Sequence, residues 1–150
     1  MILEVRDIHT YYGKSHILFG ISLDLGRNEV VCLLGRNGTG KTTLFRSIMS
    51  LTPVRRGSIK FHGEEISKKA SYQISSMGIG LVPQGRRVFT DLTVRENIEV
   101  VKKKPVPSDR DWTVDRLYAL FPKLQELDTR LAGSLSGGEQ QMLAISRTLA

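Results

Sequence analysis

Cysteine occurs once in the 150 residues, at Cys32, so no disulfide can form within the chain. That thiol sits in an apolar run and reads as buried filler in a protein of a reducing compartment. Long apolar stretches are also missing. None approaches the roughly eighteen residues of a membrane span, and the first residues do not follow the basic-then-apolar pattern of a secretory leader. The three histidines, His9, His16 and His62, read as surface or turn residues. Acidic residues are outnumbered 15 to 22, giving a net charge of +7. Such a surplus can serve nucleic acid or an anionic membrane surface. Here the basic residues are dispersed, with Arg55-Arg56, Arg86-Arg87 and Lys102-Lys103-Lys104 as short clusters, so no nucleic-acid partner is expected. A 40% hydrophobic and 25% charged composition fits a globular domain with a real core.

The most informative stretch is Gly35-Arg36-Asn37-Gly38-Thr39-Gly40-Lys41-Thr42. It follows the β-prone run Val30-Val31-Cys32-Leu33-Leu34 and opens into Thr43-Leu44-Phe45-Arg46-Ser47-Ile48-Met49. Strand, glycine turn and helix is the context of a phosphate-binding loop. Glycines keep side chains away so that backbone N–H groups can turn toward phosphate oxygens. The helix start adds unpaired N–H groups and the positive end of its dipole. Lys41 is placed to reach the β- and γ-phosphates, and the Thr42 hydroxyl to ligate Mg²⁺.

In chain order, Ile2 to Ile8 alternates as a strand with one wet face, and Tyr11-Tyr12-Gly13-Lys14 forms a turn. Ile17 to Leu25 alternates again, and Gly26-Arg27-Asn28 leads into the strand before the loop. Tyr12 either stacks an adenine or is a turn tyrosine packed on its own sheet. Leu44, Phe45, Ile48 and Met49 form the buried stripe of the helix, which stops by Pro53. Gly57 to Phe61 is a short strand turning at His62-Gly63. Ala70 to Met77 is a weak helix, and Ile79 to Val82 a buried strand ending at Pro83-Gln84-Gly85. Gln84 is either an ordinary loop amide or a site residue at a strand's carboxyl end.

The remainder is helical. Thr93 and Glu96 make a capping box for a helix running to about Val101. Lys102 to Asp111 reads as a basic exposed linker. Val114, Leu117, Tyr118 and Phe121 make one apolar face, stopped by Pro122, and Leu124, Leu127 and Leu131 a second. Trp112 is either an anchor of this helical core or a partner contact. Ser136 and Glu139 make another capping box, with Gly137 and Gly138 at the first helical positions and Met142, Ile145 and Leu149 as the buried stripe. Glycine is costly there. The cost makes sense where backbone approaches a ligand such as phosphate.

Together, Gly35–Thr42 and Leu135-Ser136-Gly137-Gly138-Glu139-Gln140-Gln141 resemble the Walker A and signature motifs of ABC transporter ATPases. Tyr11 to Ser15, Val82 to Phe89 and Glu139 to Ile145 resemble, more narrowly, the ATP-binding subunits of branched-chain amino acid importers. Urea importers share much of this wording. Soluble ABC ATPases acting on DNA or ribosomes are the more distant alternative, and their long inserts or paired cassettes are not seen.

The resemblance implies an α/β fold: a P-loop core with an N-terminal antiparallel β part, and a small α-helical subdomain. Residues 1–90 would be the nucleotide-binding core, 91–135 the helical subdomain and 136–150 the signature helix. It implies ATP and Mg²⁺ as cofactors. Tyr12 would stack adenine. Gly35, Arg36, Asn37, Gly38, Thr39, Gly40, Lys41, Thr42 and Thr43 would hold phosphate, with Thr42 and Gln84 at the metal and Lys41 and Gln84 serving catalysis. Ser136, Gly137, Gly138 and Glu139 would face ATP held by a second subunit. Permease subunits would dock at Gln84–Asp91, on the cytoplasmic side of the membrane, with an external solute-binding protein acting indirectly.

The family also needs a Walker B aspartate ending an apolar strand, a following glutamate and a switch histidine. None occurs here, because the three histidines all precede the helical region. The family places these elements beyond Ala150, so the chain reads as a cassette truncated before the Walker B strand. It is expected to bind ATP without hydrolysing it, to expose an apolar edge, and to be poorly stable alone.

Overall fold

A computed structural model describes residues 1–101 and 112–150. The expected linker from Lys102 to Asp111 therefore lies outside the described residues. The chain forms two compact units, Met1–Ile79 and Gly80–Ala150.

The first unit is built on strand β1 (Leu3–Tyr12), which pairs antiparallel with β2 (Ser15–Leu25) and with β3 (Val54–Phe61). A two-residue β4 (Glu64–Glu65) completes the four-stranded order β2-β1-β3-β4. The expected antiparallel part is present. In β1 the buried positions are Leu3 and Val5, then Ile8 and Thr10. Parity flips between them because the ladders to both neighbours slip at Arg6-Asp7, with Asp7 in the left-handed region at φ 45°. This is a bulge, in which an extra residue resets which side chains face inward. Gly57 of β3 makes it possible: a Cβ there would lie 2.4 Å from the carbonyl oxygens of Arg6 and Asp7.

Helix α1 (Lys41–Ile48) is held to β1 by a 2.9 Å hydrogen bond between the buried hydroxyls of Thr10 and Ser47. Its buried apolar residues are Leu44 and Ile48, continued by Met49, whereas Phe45, expected on the same face, is 47% exposed. Within α1 the buried face is Thr43, Leu44, Ser47 and Ile48, and Phe45 sits at its edge. Helix α2 (Ser71–Ser76) is short and buries Ile74.

Two expected strands do not form. Val30 to Leu34 has no ladder, and Val30 and Leu34 are 94% and 85% exposed. Strands β1 to β4 pair only among themselves, so no described backbone accepts the hydrogen bonds of this run. Cys32 is consequently exposed, not buried. Residues 79–82 are likewise without a ladder, and Gly80 packs on Thr148, where a Cβ would come within 2.4 Å of Cγ2.

The second unit is helical. Helix α3 (Val94–Glu99) opens on the expected Thr93–Glu96 capping box but stops short of Val101. It is followed by α4 (Val114–Leu120) and α5 (Pro122–Glu126), the latter starting at the proline that ends its predecessor. A 3₁₀ turn (Ala132–Ser134) leads into α6 (Gly137–Leu149). The core gathers Val94, Ile98, Val114, Leu117, Tyr118, Leu124, Leu127, Ala132, Leu135 and Leu143, with Phe121 partly buried against it. Leu131 is 53% exposed, and its backbone pairs with Thr93 in an isolated bridge. Trp112 is 40% exposed and outside this cluster, so it is not the core anchor. On α6 the fully buried residues are Leu143, Ala144 and Ser146, while Met142, Ile145 and Leu149 are half-buried. The buried stripe is thus rotated by about one residue from the expected one, because Leu143 faces the core.

Candidate functional site

The glycine loop is closed by its own carbonyl groups. The Arg36 carbonyl accepts from the Thr39 backbone N–H at 3.4 Å, the Thr39 hydroxyl at 2.9 Å and the Lys41 ammonium at 2.7 Å. Lys41 Nζ also donates to the Gly35 carbonyl at 2.5 Å. The lysine thus lies back over the loop with two of its three donors held and one left for a ligand. Gly40 caps α1 at φ 93°, and a Cβ on it would meet Leu18 Cδ2 at 2.8 Å. From Lys41 onward the first-turn N–H groups of α1 have no intrahelical acceptor.

Thr42 is exposed at the second residue of α1, and its hydroxyl has no hydrogen-bond partner among the described residues. No cluster of three or more His, Cys, Asp or Glu among them could hold a metal ion. A cation at this loop would be held by a hydroxyl and by phosphate oxygens, which is how Mg²⁺ accompanies nucleotides. The donor set therefore fits Mg²⁺ carried with a nucleotide.

Tyr12 ends β1, beyond a further register shift between Thr10 and Tyr11 in the ladder to β2. Its hydroxyl lies 3.4 Å from Thr52 Oγ1, which also accepts from Arg46 Nε at 3.2 Å. The hydrogen bond with Thr52, aided by the Arg46 charge, holds the Tyr12 phenol below its usual range. The ring remains 46% exposed. Tyr11 instead stacks on His16 at 4.1 Å with the Arg55 guanidinium 4.6 Å above it. Both adjacent tyrosines meet residues that follow the glycine loop, Tyr11 at Arg55 and Tyr12 at Thr52.

Gln84 and Ser136–Glu139 belong to the second unit. Gln84 is exposed in a turn. The next three residues, Gly85, Arg86 and Arg87, are all left-handed, at φ 86°, 64° and 46°. Ser136 caps α6, accepting from Glu139 N–H at 3.4 Å, while Glu139 accepts from Ser136 N–H at 2.7 Å. That hydrogen bond holds the Glu139 carboxyl below the usual glutamate range. Neither Gly137 nor Gly138 has positive φ. A Cβ on Gly138 would meet nothing within 4 Å, and one on Gly137 would come within 2.8 Å of the Arg86 guanidinium. The fold does not require Gly138, and neither glycine is needed for a left-handed backbone.

Sequence reasoning missed Asn97 and Arg147. Asn97 is fully buried on α3 and binds the loop before it, and Arg147 of α6 donates to the Arg87 carbonyl at 2.7 Å. The available signal was a polar residue beside the apolar positions Val94 and Ile98.

The sequence pattern of the ABC transporter family matches residues 18–150. The chain belongs to the ABC transporter family. It is 40% identical over 148 residues to the high-affinity branched-chain amino acid transport ATP-binding protein BraG of Pseudomonas aeruginosa, covering 99% of the chain and 64% of that protein. Identity is 34% to the probable branched-chain amino acid transport ATP-binding protein LivF of Archaeoglobus fulgidus, again covering 99% of the chain and 63% of the relative. The lipopolysaccharide export system ATP-binding protein LptB of Haemophilus influenzae is 35% identical, with 99% and 63% covered. This ABC chain thus spans a little under two thirds of the length of these relatives. Among solved structures, an ATP-binding cassette of an ABC transporter in its ADP conformation superposes with a TM-score of 0.78 at 28% identity, covering 99% of the chain and 64% of that structure. Among the described residues no helix is long and apolar enough to cross a membrane.

Proposed function

We propose that this ABC chain is the nucleotide-binding part of the ATP-binding subunit of an importer for branched-chain amino acids. The observation that carries the reading is the second glycine-opened helix. Gly137 and Gly138 weaken α6, and Gly138 has no neighbour that a side chain would meet, so its place is explained by close backbone approach to a ligand. With the loop at Gly35–Thr43, the chain carries two phosphate-facing helix starts. In a pair of such chains, each would lend Ser136, Gly137, Gly138 and Glu139 to the ATP on the other's loop. BraG and LivF support the substrate class through their names.

On this reading Tyr12 stacks the adenine, and the loop amides with Lys41 grip the phosphates. Lys41 turns its third donor to a phosphate oxygen. The Thr42 hydroxyl would hold Mg²⁺, which when bound offsets phosphate charge. The Gln84–Asp91 loop meets the permease on the cytoplasmic face of the membrane, with a solute-binding protein acting from outside. Residues 1–90 serve as nucleotide core, 91–135 as helical subdomain and 136–150 as signature helix. A Walker B carboxylate pair and a switch histidine are not in the 150 residues, so the chain by itself binds ATP without turnover.

The test is a titration of the 1–150 chain with a fluorescent ATP analogue and Mg²⁺, alongside a phosphate-release assay. Saturable binding that ATP displaces and Lys41→Ala removes, without phosphate release, is expected. Binding that survives Lys41→Ala would remove the loop mechanism. In cells whose transporter contains this chain, Lys41→Ala should abolish leucine, isoleucine and valine uptake and spare urea uptake. The reverse pattern would assign a urea importer.

A further inference from the structure

Arg147 has no part in the nucleotide reading above, yet its setting is costly. Its Nε is buried with no hydrogen-bond partner. A methionine or leucine of similar size would avoid that cost, so packing alone does not account for an arginine here. What the guanidinium does touch is the loop after Gln84. Its Nη1 donates to the Arg87 carbonyl at 2.7 Å, and its Cζ lies 4.2 Å from the centroid of the Phe89 ring.

That loop is held in an unfavourable shape. Arg86 and Arg87 are both left-handed without being glycine, a conformation that crowds Cβ against the backbone. The shape turns the Arg87 carbonyl toward Arg147 and lays the Arg86 guanidinium on Gly137. A Cβ added to Gly137 would come within 2.8 to 3.0 Å of Arg86 Nη2, Nη1 and Cζ. Contacts therefore run unbroken from Phe89, 48% exposed, through Arg147, Arg87 and Arg86 to the first turn of α6.

We infer that Arg147 is a positioning residue that makes the 84–91 loop and the start of α6 move as one piece. A displacement of Phe89 reaches Gly137 through the Arg87 carbonyl and the Arg86 side chain. The consequence for transport rests on the proposed function: a permease bearing on Phe89 would then adjust the backbone that faces the partner's ATP. The mechanical link itself stands within the second unit.

Amide NMR spectra of the 1–150 chain test it. Phe89→Ala is expected to shift the Gly137 and Gly138 amide resonances, and to lose most of that effect in an Arg147→Met background. Asn97→Ser loosens the same loop from α3 and is expected to leave the effect in place. If Arg147→Met unfolds the second unit, Arg147→Lys, which keeps a charge but loses the plane over Phe89, should at least halve the response. An undiminished response in the Arg147 variants, no response in the parent chain, or an equal loss in Asn97→Ser overturns the inference. MgATP titration of the same samples reads the glycine loop separately, so failure to bind ATP would sink the proposed function and leave the coupling result standing.

Discussion

Asn97 and Phe89 exchange a reciprocal pair of hydrogen bonds: the Phe89 N–H donates to Asn97 Oδ1 at 2.8 Å, and Asn97 Nδ2 donates back to the Phe89 carbonyl at 2.8 Å. The amide thus takes the place of a strand neighbour for an otherwise irregular segment. It also donates to the carbonyls of Leu92 at 3.2 Å and Thr93 at 2.9 Å, and it is fully buried. Leaving buried partners unpaired costs about 1–3 kcal/mol. Asn97→Ala should therefore lower the stability of the second unit by about 2 kcal/mol, read as a shift of the urea midpoint. Asn97→Asp should do no better at neutral pH, because a carboxylate would face three carbonyl oxygens in place of donors.

The bulge in β1 should matter as much as the glycine loop itself. Gly57 is left-handed at φ 95°, and a side chain there would run into the backbone of Arg6 and Asp7 at 2.4 Å. Backbone cannot yield as a side chain does, so Gly57→Ala should cost upward of about 2 kcal/mol. It should also weaken nucleotide binding although it lies in β3, because disturbing the backbone of Arg6 and Asp7 displaces β1, which ends at Tyr12. Thermal unfolding and nucleotide titration on the same protein check both effects.

The adjacent tyrosines offer a sharper comparison. Base–aromatic stacking is worth roughly 1–3 kcal/mol, so Tyr12→Ala should weaken ATP binding by about 10- to 100-fold and Tyr12→Phe by far less. Tyr11→Ala should leave affinity nearly unchanged, since that ring is engaged with His16 and Arg55. A loss confined to Tyr11→Ala would transfer the stacking role to it.

Why sequence told some of this and not the rest follows from range. The two capping boxes, the glycine loop and the hairpin turn at Gly13 are local patterns, and all were legible. The strand expected at Val30 to Leu34 was not, since apolar β-prone residues specify a strand only where a neighbour completes the ladder. Asn97 and Arg147 escaped for the opposite reason. Their partners are backbone carbonyls, which carry no sequence signature, and for Arg147 the acceptor lies far away in the chain. The contact of Tyr12 with Thr52 likewise joins segments far apart in the chain, which an alternating pattern does not show.

Acid should weaken both capped helices in the second unit. Glu96 accepts from the Thr93 N–H at 2.8 Å and Glu139 from the Ser136 N–H at 2.7 Å, and these bonds hold both carboxyls below the usual glutamate range. A carboxyl depressed in the folded chain stabilises it above the unfolded value of about 4.3, and that contribution fades as pH falls through the lower folded value. Glu96→Gln and Glu139→Gln should therefore flatten the loss of stability between about pH 5 and pH 3. Stability followed by circular dichroism along a pH series is the check, and an unchanged acid limb would count against the capping bonds.

The strongest separation of fold from function comes at Gly138. A methyl group there meets no atom within 4 Å, and the backbone is not left-handed. Alanine is favoured over glycine in a helix by roughly 0.8–1 kcal/mol, so Gly138→Ala should raise the stability of the 1–150 chain by up to about that amount. If the glycine serves close approach to the phosphate of a partner's ATP, the same substitution should leave MgATP affinity of the isolated chain unchanged. In the assembled transporter it should sharply reduce ATP-driven uptake. Stability measured by urea unfolding should rise, affinity by titration should hold, and uptake in cells should fall. Full uptake in the stabilised variant would mean that the second glycine-opened helix is not half of a composite site.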